Sequence, residues 1–270
     1  MTARRRLRLL VAALLMLQDA AGAAPPAATP AVTWVTPELS NDTNRLGDHF
    51  LSFLMGRLPA FDHRVIPGSI GRVWHEMKSK RVGICVFNAL KTPEREAVAI
   101  FSRRPLLWPA YRLYFPASRR AAFSPYLDGD GRVDLGKLVA APLHGGITTN
   151  RAYNAVIDKF IAAHGTAHPL DSLLSIHQIL TLLRAGRLDY AFATQADLES
   201  SDGGLDSLEI AGSDAWNASF VACSRDQIGV AVISAVDRLF DDQETWAEYV
   251  EPLHAVLPPA DYAVVLRSKP

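Results

Sequence analysis

The stretch IGRVWHEMKSK, from Ile70 to Lys80, followed by VGICVF, from Val82 to Phe87, predicts a helix and then a strand. In the first segment Val73, Trp74 and Met77 recur at helical spacing, which places them on one face. The second segment is a short apolar run bounded by polar residues, which is typical of a buried strand. Together they predict one helix–strand unit of an α/β sheet.

The same pattern continues upstream of this unit. Val32–Thr36 alternates like a strand, Gly47–Arg57 carries apolar residues at helical spacing, and His63–Ile66 reads as a second strand. The resulting order β-α-β-α-β predicts a parallel α/β sheet.

Downstream, the pattern predicts a second group of elements and then a return to the first. Ala110–Phe115 is predicted to be a strand that leaves the first lobe. The second group contains a strand at Gly146–Thr149, helices at Ala152–Ala163 and Ser175–Ala185, and a strand at Asp189–Ala193. The return consists of a strand at Ala218–Ser224 and helices at Ile228–Phe240 and Thr245–Leu253, with a surface tail from Pro258.

This arrangement predicts two lobes of α/β class, each with a parallel or mixed sheet and flanking helices. Lobe one comprises residues 32–117 and 213–270, and lobe two comprises residues 118–212. A chain that leaves one lobe and returns to it crosses twice, which suits a hinged clamp with a ligand between the lobes.

The N-terminus has the composition of a secretory signal peptide. Arginines at positions 4, 5, 6 and 8 precede the apolar run Leu9–Leu17, and Ala21-Gly22-Ala23 offers a cleavage site. The run is too short to span a bilayer, so residues 1–23 are predicted to be removed, although a retained anchor is the alternative. No cysteine lies near this site, which argues against a lipoprotein. Residues 24–31 are predicted to form a flexible mature N-terminus, and the expected location is periplasmic.

Charge and composition exclude one class of partner. The whole chain has 28 basic and 28 acidic residues; the leader holds four Arg and one Asp, so the remainder carries 24 against 27, or −3. With no basic stripe, binding to nucleic acid has no electrostatic support. Neither a cofactor nor a partner subunit is indicated, so a monomer is expected.

Cys85 and Cys223 are the chain's two cysteines. An even pair in an exported protein favours a disulfide, and two buried unreactive thiols are the alternative.

Three further motifs carry a resemblance to a known family. They are Thr92-Pro93-Glu94-Arg95, then Phe101-Ser102-Arg103-Arg104-Pro105, and a predicted helix ending in Ala185-Gly186-Arg187-Leu188-Asp189-Tyr190. In this order they resemble the bacterial extracellular solute-binding protein family 3. The resemblance implies a two-lobed periplasmic-binding-protein fold of type II, a small-molecule ligand and an ABC permease as partner. It also places Cys85 and Cys223 in one lobe, where a bridge between strands is compatible with the fold.

The resemblance assigns the ligand carboxylate to Arg95, whose planar guanidinium can pair with it bidentately; the alternative is a surface arginine paired with a neighbouring glutamate. Thr92 belongs to the same motif. Family receptors usually have Thr or Ser at the position of Leu90, which can offer only its backbone N–H, and Asn88 lies two residues earlier. The loop after the first strand also departs from the family, and Glu38, with Asn41 and Asp42, is a candidate pocket residue there or simply solvated.

In lobe two, Thr149, Asn150 and Arg151 run from a strand into a helix. Backbone N–H groups at such a junction attract anions, so these residues are ligand candidates, and an ordinary N-cap is the alternative. Thr194, followed by Gln195, occupies the position where the family commonly has an Asp for the ligand ammonium. An uncharged Thr194 favours a ligand carboxylate without an adjacent ammonium, such as a peptide-like or aromatic acid.

The resemblance is stronger to uncharacterised family-3-like proteins. They share an Arg at the position of Arg72, the run LKTPERE at Leu90–Glu96, and the pair Cys223-Ser224. Arg72 is therefore either a second carboxylate contact or a partner in a salt bridge between helices.

Two metal motifs fail on their spacing. Asp128, Asp130 and Gly131 would place Lys137 where a calcium loop needs its bidentate Glu. His164 and His168 are four apart, but Gly165 and Pro169 end the helix, so no metal site is predicted.

No hydrolase signature is present, and a binding protein is expected rather than an enzyme. The alternatives are a ligand sensor without a transporter and a dehydratase-like periplasmic enzyme.

Overall fold

A computed structural model describes residues 28–36, 45–164, 170–173, 175–198, 203–255 and 257–268. The predicted signal peptide, residues 24–27 of the predicted flexible segment, and Glu38, Asn41, Asp42 and His168 lie outside the described residues. Within these ranges, none of the helices is both long and apolar enough to cross a lipid bilayer.

The first sheet has six strands in the order β2-β1-β3-β11-β4, with β5 also paired to β11. β1 is parallel to β2 and β3, whereas β11 runs antiparallel to β3, β4 and β5. Its strands are β1 (Ala31–Thr36), β2 (Asp62–Pro67), β3 (Ile84–Leu90), β4 (Ala99–Phe101), β5 (Leu106–Pro109) and β11 (Trp216–Ser224).

The helices of this lobe connect or cover these strands. They are α1 (Arg45–Arg57), α2 (Ile70–Lys78) and α3 (Pro93–Glu96), followed near the C-terminus by α7 (Gln227–Asp241), α8 (Gln243–Val250) and α9 (Pro259–Arg267). A 3₁₀ segment at Glu251–Ala255 precedes α9. This set defines lobe one.

The second sheet has five strands in the order β10-β6-β9-β7-β8 and defines lobe two. β7 is parallel to β8 and β9, and β6 is antiparallel to β9 and β10. Its strands are β6 (Arg112–Pro116), β7 (Gly145–Thr148), β8 (Leu170–Leu173), β9 (Tyr190–Ala193) and β10 (Leu205–Leu208). Its helices are α4 (Leu135–Leu138), α5 (Ala155–His164) and α6 (Ile176–Arg184), with 3₁₀ segments at Ala117–Tyr126 and Gln195–Asp197.

The two-lobed α/β architecture expected from the sequence is confirmed, but one strand belongs to the other lobe. We expected lobe one to extend to residue 117, which would include β6. In the structure β6 pairs within the second sheet, and its residues Leu113 and Phe115 are fully buried in the core of lobe two. The first crossing therefore lies between Pro109 and Arg112, because the apolar run of β6 is covered by lobe-two side chains.

The two crossings run side by side. β5 ends beside the start of β11, where Ala110 donates its N–H to the carbonyl of Ala215 at 3.1 Å. The side chain of Asn217 donates to the carbonyl of Pro109 at 3.0 Å. These bonds tie the outgoing segment to the returning one.

Large aromatic side chains fill the core of lobe one. Trp34, Phe50, Trp246 and Tyr249 are at most 2% exposed and pack in one cluster. Burying such a side chain contributes about 1.5–3 kcal/mol. The predicted surface tail is wrong: α9 packs on this cluster through the fully buried Val265, whose carbonyl accepts a bond from the indole N–H of Trp246 at 3.3 Å.

Cys85 and Cys223 form a disulfide between β3 and β11. They lie directly opposite each other in the antiparallel pair, and both are completely buried. The bridge therefore links the two central strands of the lobe-one sheet.

Candidate ligand-binding cleft

A cleft of about 380 Å³ lies between the lobes, at the ends of β3 and β7. This volume is within the range of small-molecule sites. Lobe one contributes Gly71, Trp74, His75 and Lys78 of α2, together with Thr92, Glu94, Arg95 and Val98; lobe two contributes Asn150, Arg151 and Ala152.

Arg95 is positioned by the turn that joins β3 to α3. The hydroxyl of Thr92 caps α3 by accepting a bond from the N–H of Arg95 at 3.3 Å. The Nη1 of Arg95 donates to the carbonyl of Leu90 at 3.0 Å, and its Cζ lies 4.4 Å from the centre of the Trp74 ring. The guanidinium thus lies over an aromatic ring, which favours a cation.

Arg95 is a buried cation without a carboxylate partner among the described residues. It is 8% exposed, and its recorded bonds go to two backbone carbonyls. Desolvation lowers the pKa of Arg95 to about 10, although Tyr111, Asp158 and Glu94 act against the shift. Two of the five N–H groups of the guanidinium are satisfied by these carbonyls, which leaves three for a ligand.

The lobes meet at Asn150. Its carbonyl accepts a bond from Nη2 of Arg95 at 3.3 Å, and its backbone is left-handed, with φ of 59°. Its side chain packs so closely on Gly71 that an added Cβ at Gly71 would lie 2.6 Å from the side-chain nitrogen of Asn150. A glycine at position 71 therefore permits this approach between the lobes.

Arg151 reaches the same cleft from lobe two but is paired. Its Nη2 lies 3.2 Å from Oδ2 of Asp197, and its Nε donates to the hydroxyl of Tyr111 at 3.1 Å. Burial lowers the pKa of Arg151, but the charge of Asp197 outweighs it and the pKa is raised. Arg151 is thus held as a cation by its own lobe.

Thr194 faces Asp197 in the described structure. Its backbone N–H and its hydroxyl both donate to Oδ2 of Asp197, at 2.7 and 2.9 Å. Gln195 is exposed and accepts a bond from the hydroxyl of Tyr114 at 3.3 Å. Both side chains therefore have partners within lobe two.

The remaining candidates Asn88, Leu90 and Thr149 are not part of the cleft lining. Asn88 is exposed and left-handed, with φ of 59°, at an irregularity in the β3–β11 pairing. Leu90 packs against the core of lobe two. The hydroxyl of Thr149 bonds to that of Ser172 at 2.8 Å, which ties it to β8.

Arg72 is exposed and is drawn to its own helix. Its Nη1 donates to the carbonyl of Pro67 at 3.3 Å, and its Nε lies 3.5 Å from Glu76. This is a salt bridge within α2, not one between helices, and it does not bring Arg72 into the cleft lining.

Two parts of the site escaped the sequence analysis. Trp74 was assigned to the inner face of a helix, yet it also lines the cleft, and its indole nitrogen has no hydrogen-bond partner among the described residues. The second part is Asp197, whose carboxylate pairs with Arg151. Its pairing with Arg151, 46 residues away, has no local sequence signal.

Metal binding has no support in the part of the chain that the structure describes. No group of three or more potential ligands is clustered there. The side chain of Asp128 instead accepts bonds from the N–H groups of Asp130 and Arg132, which closes an acidic turn.

A scan of protein-family models and a search of curated proteins each found no match. Solved structures do match across most of the chain. An amino-acid ABC transporter substrate-binding protein from Streptococcus pneumoniae, bound to L-arginine, is 16% identical with a TM-score of 0.62, covering 89% of this chain and 97% of that one. The chain has the fold of these substrate-binding proteins.

Two further matches have the same fold. A Salmonella typhimurium periplasmic binding protein with high arginine specificity is 12% identical, with a TM-score of 0.60, and covers 83% of this chain and 98% of its own. A putative L-cystine ABC transporter protein from Listeria monocytogenes is 14% identical, also with a TM-score of 0.60, and covers 83% and 95%. At these identities the likeness concerns the fold, and function must be argued from the site.

Proposed function

We propose that this protein is a periplasmic solute-binding protein that captures a small carboxylate-bearing ligand between its two lobes for ABC-type uptake. The observation that carries the proposal is the guanidinium of Arg95, which is buried at the cleft with no carboxylate partner among the described residues. An isolated buried cation is costly, and a bound anion removes that cost. The substrate-binding proteins that share the fold support the solute-binding role.

Besides the charge of Arg95, the cleft offers the ligand an aromatic surface and backbone groups from lobe two. Trp74 backs the guanidinium and presents an aromatic surface, and Asn150 and Ala152 bring lobe-two backbone to the opposite side. Closure of the lobes around such a ligand would exclude water and strengthen the ion pair. We assign Thr92, Leu90 and Asn150 the role of positioning Arg95, because each touches its backbone or its guanidinium.

Calorimetry tests the role of Arg95. A thermal-shift screen with organic acids, short peptides and amino acids, including L-arginine and L-cystine, first identifies a stabilising ligand, since a ligand at 100 times its Kd stabilises the fold by about 2.7 kcal/mol. Arg95→Ala is then expected to weaken binding of that ligand about 100-fold or more.

The matched control is Arg81→Ala. Arg81 is an exposed lobe-one arginine outside the cleft, paired with Glu76 at 3.0 Å. We expect this variant to bind like the unmodified protein. Equal affinity of Arg95→Ala and the unmodified protein would refute the carboxylate site.

Two further parts of the proposal have their own tests. Binding rather than catalysis predicts that the ligand is recovered chemically unchanged after incubation, as judged by mass spectrometry. Periplasmic location and uptake through a permease predict that the protein appears in the periplasmic fraction and that deletion of its gene lowers accumulation of the labelled ligand.

A further inference from the structure

In lobe two, the cleft-lining cation Arg151 is already paired with a carboxylate of its own lobe, Asp197. Asp197 receives five recorded donations: three from the guanidinium of Arg151, at 3.2 to 3.4 Å, and two from Thr194, at 2.7 and 2.9 Å. A carboxylate has about four lone-pair sites, so this set saturates it. Asp197 is therefore not available to a positively charged group of a ligand.

Arg151 is fixed as firmly as the carboxylate that it neutralises. Its Nε donates to the hydroxyl of Tyr111, and its Cζ lies 5.2 Å from the Tyr111 ring and 5.7 Å from the Tyr153 ring. Tyr111 and Tyr153 are each about 5% exposed or less. The ion pair is thus held in a rigid aromatic frame at the wall of the cleft.

Two other acidic residues that the structure describes near the cleft, Glu94 and Asp158, do not replace Asp197. Glu94 lines the cleft but is exposed, and hydrogen bonds from its own backbone N–H and from Thr92 lower its pKa. An ion pair in such an exposed position contributes about 0–1 kcal/mol. Asp158 accepts a bond from the N–H of Tyr153 and is not part of the cleft lining.

The charges on the two facing walls can be counted. Among the described residues, Arg95 and Arg151 provide two guanidinium groups, and Asp197 compensates one of them. The exposed Lys78 and Glu94 of the cleft lining carry opposite charges and offset each other. One positive charge therefore remains, and one carboxylate neutralises it. An ammonium next to that carboxylate would lie near two guanidinium groups, with no unpaired buried carboxylate among the described residues to accept its bonds, which is unfavourable.

We propose that the Arg151–Asp197 pair sets the specificity of the cleft, so that it prefers monoanionic carboxylic acids without a cationic amine beside the carboxylate over α-amino acids. The substrate class is then hydroxy, keto or aromatic acids. This inference rests on the carboxylate site proposed for Arg95. Arg151 acts here as a positioning residue, because it excludes the ammonium through Asp197 and does not itself define the carboxylate site.

The unmodified protein provides the first test. Calorimetry compares monocarboxylic acids that differ in one group: L-lactate with L-alanine, L-phenyllactate with L-phenylalanine, and 2-hydroxyisocaproate with L-leucine. Within the pair that binds best, we expect the hydroxy acid to bind about tenfold more tightly or better, because one buried polar group goes unpaired in the amino acid. Equal or tighter binding of the amino acid overturns the inference and leaves the Arg95 site standing. Absence of binding by every acid overturns both.

Two variants provide the second test. Arg151→Gln frees Asp197, and we expect it to shift the preference toward the amino acid by about tenfold. The matched control, Arg151→Gln with Asp197→Asn, has no carboxylate to free and should keep the hydroxy acid preference. A merely structural pair would lower affinity for both acids equally in both variants, which would contradict the proposal; circular dichroism establishes that each variant is folded.

Discussion

Arg95 in lobe one and Arg151 in lobe two line one cleft, yet their surroundings are opposite. Arg95 is 8% exposed and bonds to two backbone carbonyls, whereas Arg151 forms an ion pair with Asp197 and a bond to Tyr111. The charge of Arg95 has no carboxylate partner among the described residues, whereas the charge of Arg151 is compensated by Asp197. Residue type alone therefore does not identify a ligand contact, because the partners of the side chain decide its role.

The lobes also differ in how their sheets are held. Lobe one has a buried disulfide between its two central strands, and the chain's two cysteines are both in it. Lobe two relies on packing of side chains such as Phe115, Phe123 and Phe192, which are at most 1% exposed. The four changes below probe these differences, beginning with the one of largest expected effect.

Removal of the disulfide should affect lobe one most. The double variant Cys85→Ala/Cys223→Ala opens a loop of 138 residues, and we expect the free energy of unfolding to fall by about 2–4 kcal/mol. Hydrogen exchange read by mass spectrometry should show faster exchange in β3 and β11 than before, with β7 and β9 changed less. The same loss of protection in both sheets would show that the lobes unfold as one unit.

Replacing the paired arginine and replacing the unpaired arginine should have different effects on the stability of the fold. Arg151→Met leaves Asp197 without its cation, and we expect a loss of about 2 kcal/mol of stability, since the side chains are partly buried at 22% and 16% exposure. Arg95→Met removes an unpaired buried charge and should leave stability unchanged or higher. Urea unfolding of the two variants measures both effects. Equal destabilisation would contradict the claim that Arg151 is paired and Arg95 is not.

Asp226 holds the lobe-one sheet to α7. Its carboxylate accepts bonds from the N–H groups of Gly83, Ile228 and Gly229 and from the hydroxyl of Ser224. Burial raises the pKa of Asp226, but these bonds outweigh it and lower the pKa below its ordinary value of 3.8.

A lowered pKa means that this carboxylate stabilises the fold above about pH 4 and stops doing so as the pH falls through its folded-state pKa. Asp226→Asn should cost about 1 kcal/mol at neutral pH, as for a lost helix cap. Its melting temperature should then fall less steeply below pH 4 than that of the unmodified protein. Parallel acid profiles would refute this role.

Gly71→Ala should disturb the contact between the lobes by the smallest amount. The added Cβ would lie 2.6 Å from the side-chain nitrogen of Asn150, so either this side chain shifts or the lobes separate slightly when closed. We expect ligand affinity to fall severalfold, by about 1 kcal/mol, with stability unchanged. Gly56→Ala in α1, where the new Cβ meets nothing within 4 Å, is the control and should not change affinity.

Strong periodicity made the helices and central strands predictable. Val73, Trp74 and Met77 are all buried, as their spacing in α2 predicts. The edge strands β8 and β10 were missed, and both have the sequence LDSL, in which two polar residues give no contrast between faces. The membership of β6 was missed because burial on both faces does not reveal which lobe covers a strand.

The candidate site was predictable only where it is local. The turn from Thr92 to Arg95 is a helix cap within one motif, and it places Arg95 at the cleft. The bonds from Arg95 to Asn150 and from Arg151 to Asp197 join residues 55 and 46 positions apart. The first contact depends on how the two lobes meet and the second on how lobe two folds, and composition and spacing encode neither.

The two crossings form one hydrogen-bonded connection between the lobes. Because Ala110 is bonded to Ala215 and Pro109 to Asn217, the two connecting segments form a ladder and not two independent tethers. Two strands joined by such bonds can bend together out of their plane, whereas sliding one strand along the other would break the bonds. We therefore expect the two lobes to open and close along one main direction. Arg95 and Asn150 would then regain the same contact each time the lobes close.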